Sequence, residues 1–194
     1  MRNVIEAKID FGKLKNIAKE MSKRYSIKLG LLSKYGAGEA VSENMDIAGL
    51  GMVQEYGADI KITPKMAAFL AIKAKELGLS PKAQKGDGYV HIPARSFLYQ
   101  PIVGDAAGFR KEIKKEIDDF AIEYITEYED FEELAKTIAV VGLTRIQKAF
   151  SDGGINGEWK ENSPFTIASK GSSKPLIDKG TLRGAVYYEV EKNV

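Results

Sequence analysis

Apolar residues recur at spacings of three and four at Phe11, Leu14, Ile17, Ala18, Met21 and Tyr25, with lysines between them. Residues so spaced share one face of a helix, so the pattern predicts an amphipathic first helix with a basic outer surface. Ile27, Leu29 and Leu31 then alternate with Lys28 and Gly30, the period of a strand with one buried face. A glycine-containing loop is expected at Tyr35 to Glu39, followed by a short helix from about Asn44 to Tyr56 that ends at Gly57. Asp59 to Ile62 reads as a short strand. Thr63-Pro64 has the form of a cap followed by proline at the first helical position, and Met66, Phe69, Leu70, Lys73, Ala74 and Leu77 continue at helical spacing to Gly78. Residues 80–88 read as a polar turn, and Tyr89 to Pro93 as a strand stopped by its proline.

Two longer helices follow. Phe109, Ile113, Ile117, Phe120, Tyr124 and Tyr128 make one apolar stripe, and Phe131, Leu134, Ile138, Val141, Ile146 and Phe150 the other. The junction near Glu129-Asp130 leaves little room for a loop, so the pattern allows either a tight antiparallel pair or one long bent helix. After Phe150 the texture becomes rich in Gly, Ser, Asn and Pro, which predicts a long irregular segment. Val186, Tyr188 and Val190 alternate with Tyr187, Glu189 and Glu191, so the chain ends in a strand. The expected fold class is α+β: a small, mostly antiparallel sheet packed with an N-terminal helix and two longer central helices. Residues 1–150 form the core, and 151–194 contribute an irregular docking segment and final strand to the same domain.

Composition supports a folded chain. At 194 residues, 44% hydrophobic and 29% charged, it matches one globular domain. The absence of cysteine removes disulfides, thiolate zinc sites and a thiol nucleophile, and fits a protein made in a reducing cytoplasm. No signal-peptide core and no run of about 18 apolar residues is present, so no membrane association is expected. Net charge is only +2, but it is unevenly placed: residues 1–34 hold nine Lys and Arg against three acids, whereas 116–133 hold nine acids and no base.

Candidate chemistry is sparse. Gly36-Ala37-Gly38 sits where a dinucleotide-binding turn would, but Val41 stands where the third, tightly packed glycine is needed. His91 is the one histidine, so no two-histidine metal site can be built, and no nucleophile-elbow motif accompanies it. Carboxylates between Glu116 and Glu133 read as a solvated helix surface. Asp152 to Glu158 superficially suggests a calcium loop, but it lacks the alternating ligands and the spaced terminal glutamate. No cofactor or metal is expected, and these absences argue against an enzyme.

Three short motifs in order carry a resemblance. Gln54-Glu55-Tyr56-Gly57-Ala58 leads into Ile60-Lys61-Ile62-Thr63; His91-Ile92-Pro93-Ala94-Arg95-Ser96-Phe97-Leu98 follows; and Trp159, Pro164, Thr166, Lys170, Leu176, Gly180 and Leu182 punctuate the last segment. Together they span residues 54–182 and resemble phage virion morphogenesis proteins of the tail-completion and neck class. That class usually has proline where Ser96 stands. The resemblance implies a non-catalytic subunit that forms or joins a ring, a hexamer, at the head-tail junction of a virion, in contact with neck, portal-side or tail-tube proteins. Gly57 and Gly180 would allow turns and Pro93 would end a strand. Trp159, Phe97, Leu98, Leu176 and Leu182 would anchor loops or subunit contacts, and Arg95 would pair with a carboxylate.

A ring needs two different faces on one subunit, and the basic first third and acidic middle helix suggest such a pair. Two readings from other classes compete. A nucleic-acid-binding accessory protein would depend on Lys13, Lys15, Lys19 and Lys23, and a nonspecific DNA contact is compatible with either reading. A carboxylate-dependent hydrolase would depend on Glu55 or Glu158.

Overall fold

A computed structural model describes Lys19 and residues 23–79, 88–124 and 131–193. Phe11 to Met21 of the expected first helical stripe, most of the 80–88 turn, the Glu129-Asp130 junction and the side chains of Phe120, Tyr124 and Tyr128 lie outside the described residues, while Tyr25, expected at the end of that stripe, instead opens the first strand. In chain order, β1 (Tyr25–Leu31) is followed by β2 (Ala40–Ser42), β3 (Met45–Asp46), α1 (Ile47–Tyr56), β4 (Ala58–Lys61) and α2 (Pro64–Glu76). Next come β5 (Tyr89–Ile92), a wide π-helical turn (Gln100–Gly104) and the long helices α3 (Ala106–Tyr124) and α4 (Phe131–Asp152). The short helices α5 (Pro164–Lys170) and α6 (Thr181–Gly184) precede the last strand, β6 (Val186–Lys192).

The helix starts are set by local chemistry. Asp46 caps α1 by accepting the Gly49 N–H at 2.7 Å, and Thr63 caps α2 from the Met66 N–H at 3.2 Å, with Pro64 in the first turn. Ser163 does the same for α5, accepting the Thr166 N–H at 3.1 Å ahead of Pro164. The segment after Phe150 is therefore not irregular throughout, as its composition suggests: the Ser-Pro pair starts a helix there just as Thr-Pro does at residue 63.

The architecture is α+β with small antiparallel sheets. In place of one sheet, the described strands form three separate two-stranded pairs, β1 with β6, β2 with β3, and β4 with β5. The β1–β6 ribbon joins the first and last strands, with Leu29 opposite Tyr188 and Leu31 opposite Val186. Lys28 and Lys34 bridge to Glu191 and Glu189 across it at 2.5 and 2.9 Å, so these two basic residues of the first third are used inside the chain.

The ribbon lies on α4, where Gly142 permits the approach: a Cβ there would sit 2.5 Å from Leu29 Cδ1. Asp105 and Glu112, at the start of α3, both reach Arg145 near the end of α4, so the two long helices run antiparallel and are not one bent rod. The central core joins Ile47, Phe97, Ile146, Phe150, Trp159 and Leu182, with Leu29, Leu98 and Leu176 packed against it. No helix among the described residues is long and apolar enough to cross a membrane.

Candidate functional site

Helix α1 carries Glu55 one residue before its end, and the side chain is buried. Its Oε2 accepts the N–H groups of Phe97 at 2.8 Å and Leu98 at 2.9 Å. Oε1 accepts the Tyr99 N–H at 3.0 Å and the Ser96 hydroxyl at 2.5 Å. Ser96 Oγ in turn accepts the Gln100 N–H at 3.0 Å. The first N–H groups of a helical turn have no partner within it, and here one carboxylate and one hydroxyl take four of them. Proline at position 96 would supply neither of these hydroxyl bonds.

Arg95 is buried beside it. Its backbone N–H donates to the Gln54 carbonyl at 2.7 Å, which fastens it to α1. Nε donates to the Lys160 carbonyl at 2.9 Å, and Nη2 to the Glu161 carbonyl at 3.2 Å and Asn162 Oδ1 at 3.3 Å. The expected carboxylate partner is not what the guanidinium takes: it binds backbone and amide oxygens, and burial holds its pKa below the ordinary value. Asn162 extends the clasp by donating to the Ser173 and Lys174 carbonyls at 3.0 and 3.1 Å. Lys170 closes it, donating to the carbonyls of Lys174 and, at 2.9 Å, Ile177. Burial and the nearby Arg95 charge lower the Lys170 pKa, while Asp178 opposes them.

The apolar side of this unit is an aromatic column. Phe97 packs on Phe150 at 5.1 Å between centroids, and Phe150 meets Trp159 edge-on at 5.9 Å. Such tilted geometries suit the ring quadrupoles. Leu182, in α6, completes the column's surroundings, and Gly180 precedes that helix. Leu176 holds its half-buried place with a φ of 56°, a strained value for leucine. Gly57 fits tightly under the strand exit: a Cβ would lie 2.7 Å from the Ile92 carbonyl oxygen and 2.9 Å from the Ala94 nitrogen, just past where Pro93 ends β5.

Of the residues singled out in the sequence, Glu55, Gly57, Pro93, Arg95, Phe97, Leu98, Trp159, Lys170, Leu176 and Leu182 meet in this one locus. Pro164 and Thr166 start α5 within the segment it holds. Tyr56 differs, for it points outward and is 74% exposed.

Other candidates have structural partners. Glu158 accepts the N–H groups of Ile155 at 3.1 Å and Asn156 at 2.7 Å, so it ties the turn that resembled a calcium loop. Burial would raise its pKa, but backbone N–H groups of Asn156, Glu158 and Ile155 outweigh it and hold the carboxyl below its ordinary range. Its contribution to stability is therefore present above that ordinary range and fades as pH falls through the lowered value. His91 pairs with Asp59 across β4 and β5 at 2.6 Å. Along the acidic run, Asp118 bonds Lys114, and Glu132 and Glu133 bond Lys136. Lys13 and Lys15 lie outside the described residues.

Arg145 escaped the sequence reading. It is buried in α4, donates to the Pro101 carbonyl at 2.5 Å, and pairs with Glu112 at 2.5 Å and with Asp105. It thereby locks the π-helical turn and α3 onto α4. An arginine interrupting an otherwise apolar helical face was the available signal.

No family model, characterised protein or solved structure matches the chain.

Proposed function

We propose that this chain is a structural subunit of phage or prophage assembly, placed at the head-tail junction, where it forms or joins a ring that completes the tail or connects it to the head. One observation carries the reading. Three motifs lying up to about 130 residues apart in the sequence, which resemble those of the tail-completion class, interlock as a single fastening: Glu55 holds residues 96–99, and Arg95 holds residues 160–162. The polar groups of that locus are taken up by backbone partners and by one another. Both carboxylates on which a hydrolase would depend, Glu55 and Glu158, are occupied in holding main-chain N–H groups.

Such a fastening presents the 159–182 segment in a fixed shape, which suits a docking element better than an active-site loop. Its partners in this role are further copies of itself and the neighbouring neck, portal-side or tail-tube proteins. Removal of the coding sequence from the phage or prophage tests the proposal. Electron micrographs of the lysate are expected to contain filled heads and separate finished or overlong tails. Normal joined particles would overturn it.

A further inference from the structure

The turn that leads from α4 to Trp159 contains the step Asn156-Gly157. Where glycine follows asparagine, the glycine nitrogen can reach the side-chain amide carbon of the residue before it, because no Cβ stands in the way. Two local conditions decide whether a folded chain allows that attack. The asparagine side chain must be free to turn back on the main chain, and the N–H that follows it must not be held in a hydrogen bond.

Two neighbouring steps of similar sequence fail one condition each. At Asp152-Gly153, the Gly153 N–H is committed to the Ala149 carbonyl at 3.0 Å, as the last turn of α4 closes. At Asn162-Ser163 the side chain is the obstacle: Asn162 is buried, donates to the Ser173 and Lys174 carbonyls and accepts from Arg95. Asn156 meets both conditions. It is exposed, and neither its side chain nor the Gly157 N–H makes a hydrogen bond among the described residues.

We infer that Asn156 is a site of spontaneous covalent modification, at which the folded chain converts its asparagine to isoaspartate and aspartate. The Gly157 nitrogen forms a bond to Asn156 Cγ, the bond from Cγ to Nδ2 breaks, and the side-chain nitrogen leaves as ammonia with the proton that Gly157 gives up. Water then opens the cyclic imide. Addition at the Asn156 main-chain carbonyl leaves isoaspartate, with the chain running through the former side chain; addition at Cγ leaves aspartate. One water is consumed, one ammonia is released, and nothing is oxidised or reduced. Either product sets a new carboxylate beside Glu158, which holds the Ile155 and Asn156 N–H groups at 3.1 and 2.7 Å. Isoaspartate also lengthens the main chain inside that tie. Trp159 follows directly, its N–H on the Gly153 carbonyl at 2.9 Å, so the modification loosens the entry to the aromatic column. The chemistry needs no partner and stands apart from the chain's place in a particle.

Full-length protein, folded or unfolded in urea, is held in mildly alkaline buffer and sampled over time. Trypsin at mildly acidic pH then releases residues 149–160 and 161–170 as separate peptides, and mass spectrometry reads the conversion of each asparagine. In urea both sites react. Folding is expected to slow Asn162 about tenfold or more, because it must first leave its clasp, and to leave Asn156 within a few-fold of its unfolded rate. Suppression of Asn156 as strong as that of Asn162 overturns the site. The folded, converted fraction is then separated by its added charge, and the Trp159 amide in it is expected to exchange about tenfold faster than in fresh protein. Unchanged protection at Trp159 overturns the loosening of the column.

Discussion

Replacing Glu55 with alanine is expected to cost this protein on the order of 4 kcal/mol of stability, a large share of the roughly 5–15 kcal/mol that holds a typical domain folded. The carboxylate is the acceptor for three N–H groups and the Ser96 hydroxyl at the start of the turn leading into α3. Removing it strips their acceptor from the buried Phe97 N–H and the part-buried Ser96, Leu98 and Tyr99 donors, and an unpaired buried donor costs about 1–3 kcal/mol. Glu55→Gln should recover less than half of the loss, since its amide offers one acceptor oxygen and turns an NH₂ group toward other donors. Urea unfolding followed by the fluorescence of Trp159, the single tryptophan, measures both. A loss under about 1 kcal/mol for Glu55→Ala would contradict the structural role assigned here.

Replacing Arg95 with methionine is expected to have a different signature. Methionine keeps much of the apolar stem but gives up the three bonds to Lys160, Glu161 and Asn162. The loss should be roughly 2–4 kcal/mol, and Arg95→Lys should do little better, because an ammonium cannot reproduce the planar fork. Amide hydrogen exchange provides the discriminating readout. Residues 160–177 should exchange far faster in the variant, while the β1–β6 ribbon, whose registration does not involve Arg95, keeps most of its protection. Uniform loss of protection along the chain would mean that Arg95 supports the whole fold and is not the clasp of one segment.

Much of the fold was legible because it is written in local patterns. Ile27, Leu29 and Leu31 announced β1, Thr63-Pro64 announced α2, and the two apolar stripes after residue 109 announced α3 and α4. Whether those stripes formed a pair or a bent rod could not be read, since the answer lies in Arg145 reaching Asp105 and Glu112, contacts between residues 40 and 33 positions apart. Helix α5 was legible in principle. Ser163-Pro164 carries the same signal as Thr63-Pro64, and the surrounding Gly and Ser residues hid it.

The candidate locus was readable as a set of positions and not as a mechanism. Glu55 and Arg95 stood out in ordered motifs, yet their partners are backbone groups, which a sequence cannot distinguish from one another. An arginine in such a motif suggests a carboxylate partner, whereas Arg95 binds carbonyls.

We propose one place for this chain, the join between the head and the tail of a phage particle. Intact particles whose copies of the chain carry an epitope tag fused at the C-terminus, labelled with gold-conjugated antibody and imaged, test it most directly. Label is expected at the head-tail junction, or on separated tails at the end that meets the head. Label spread over the capsid, confined to the far tip of the tail, or absent from particles while the tagged chain remains free in the lysate would contradict it.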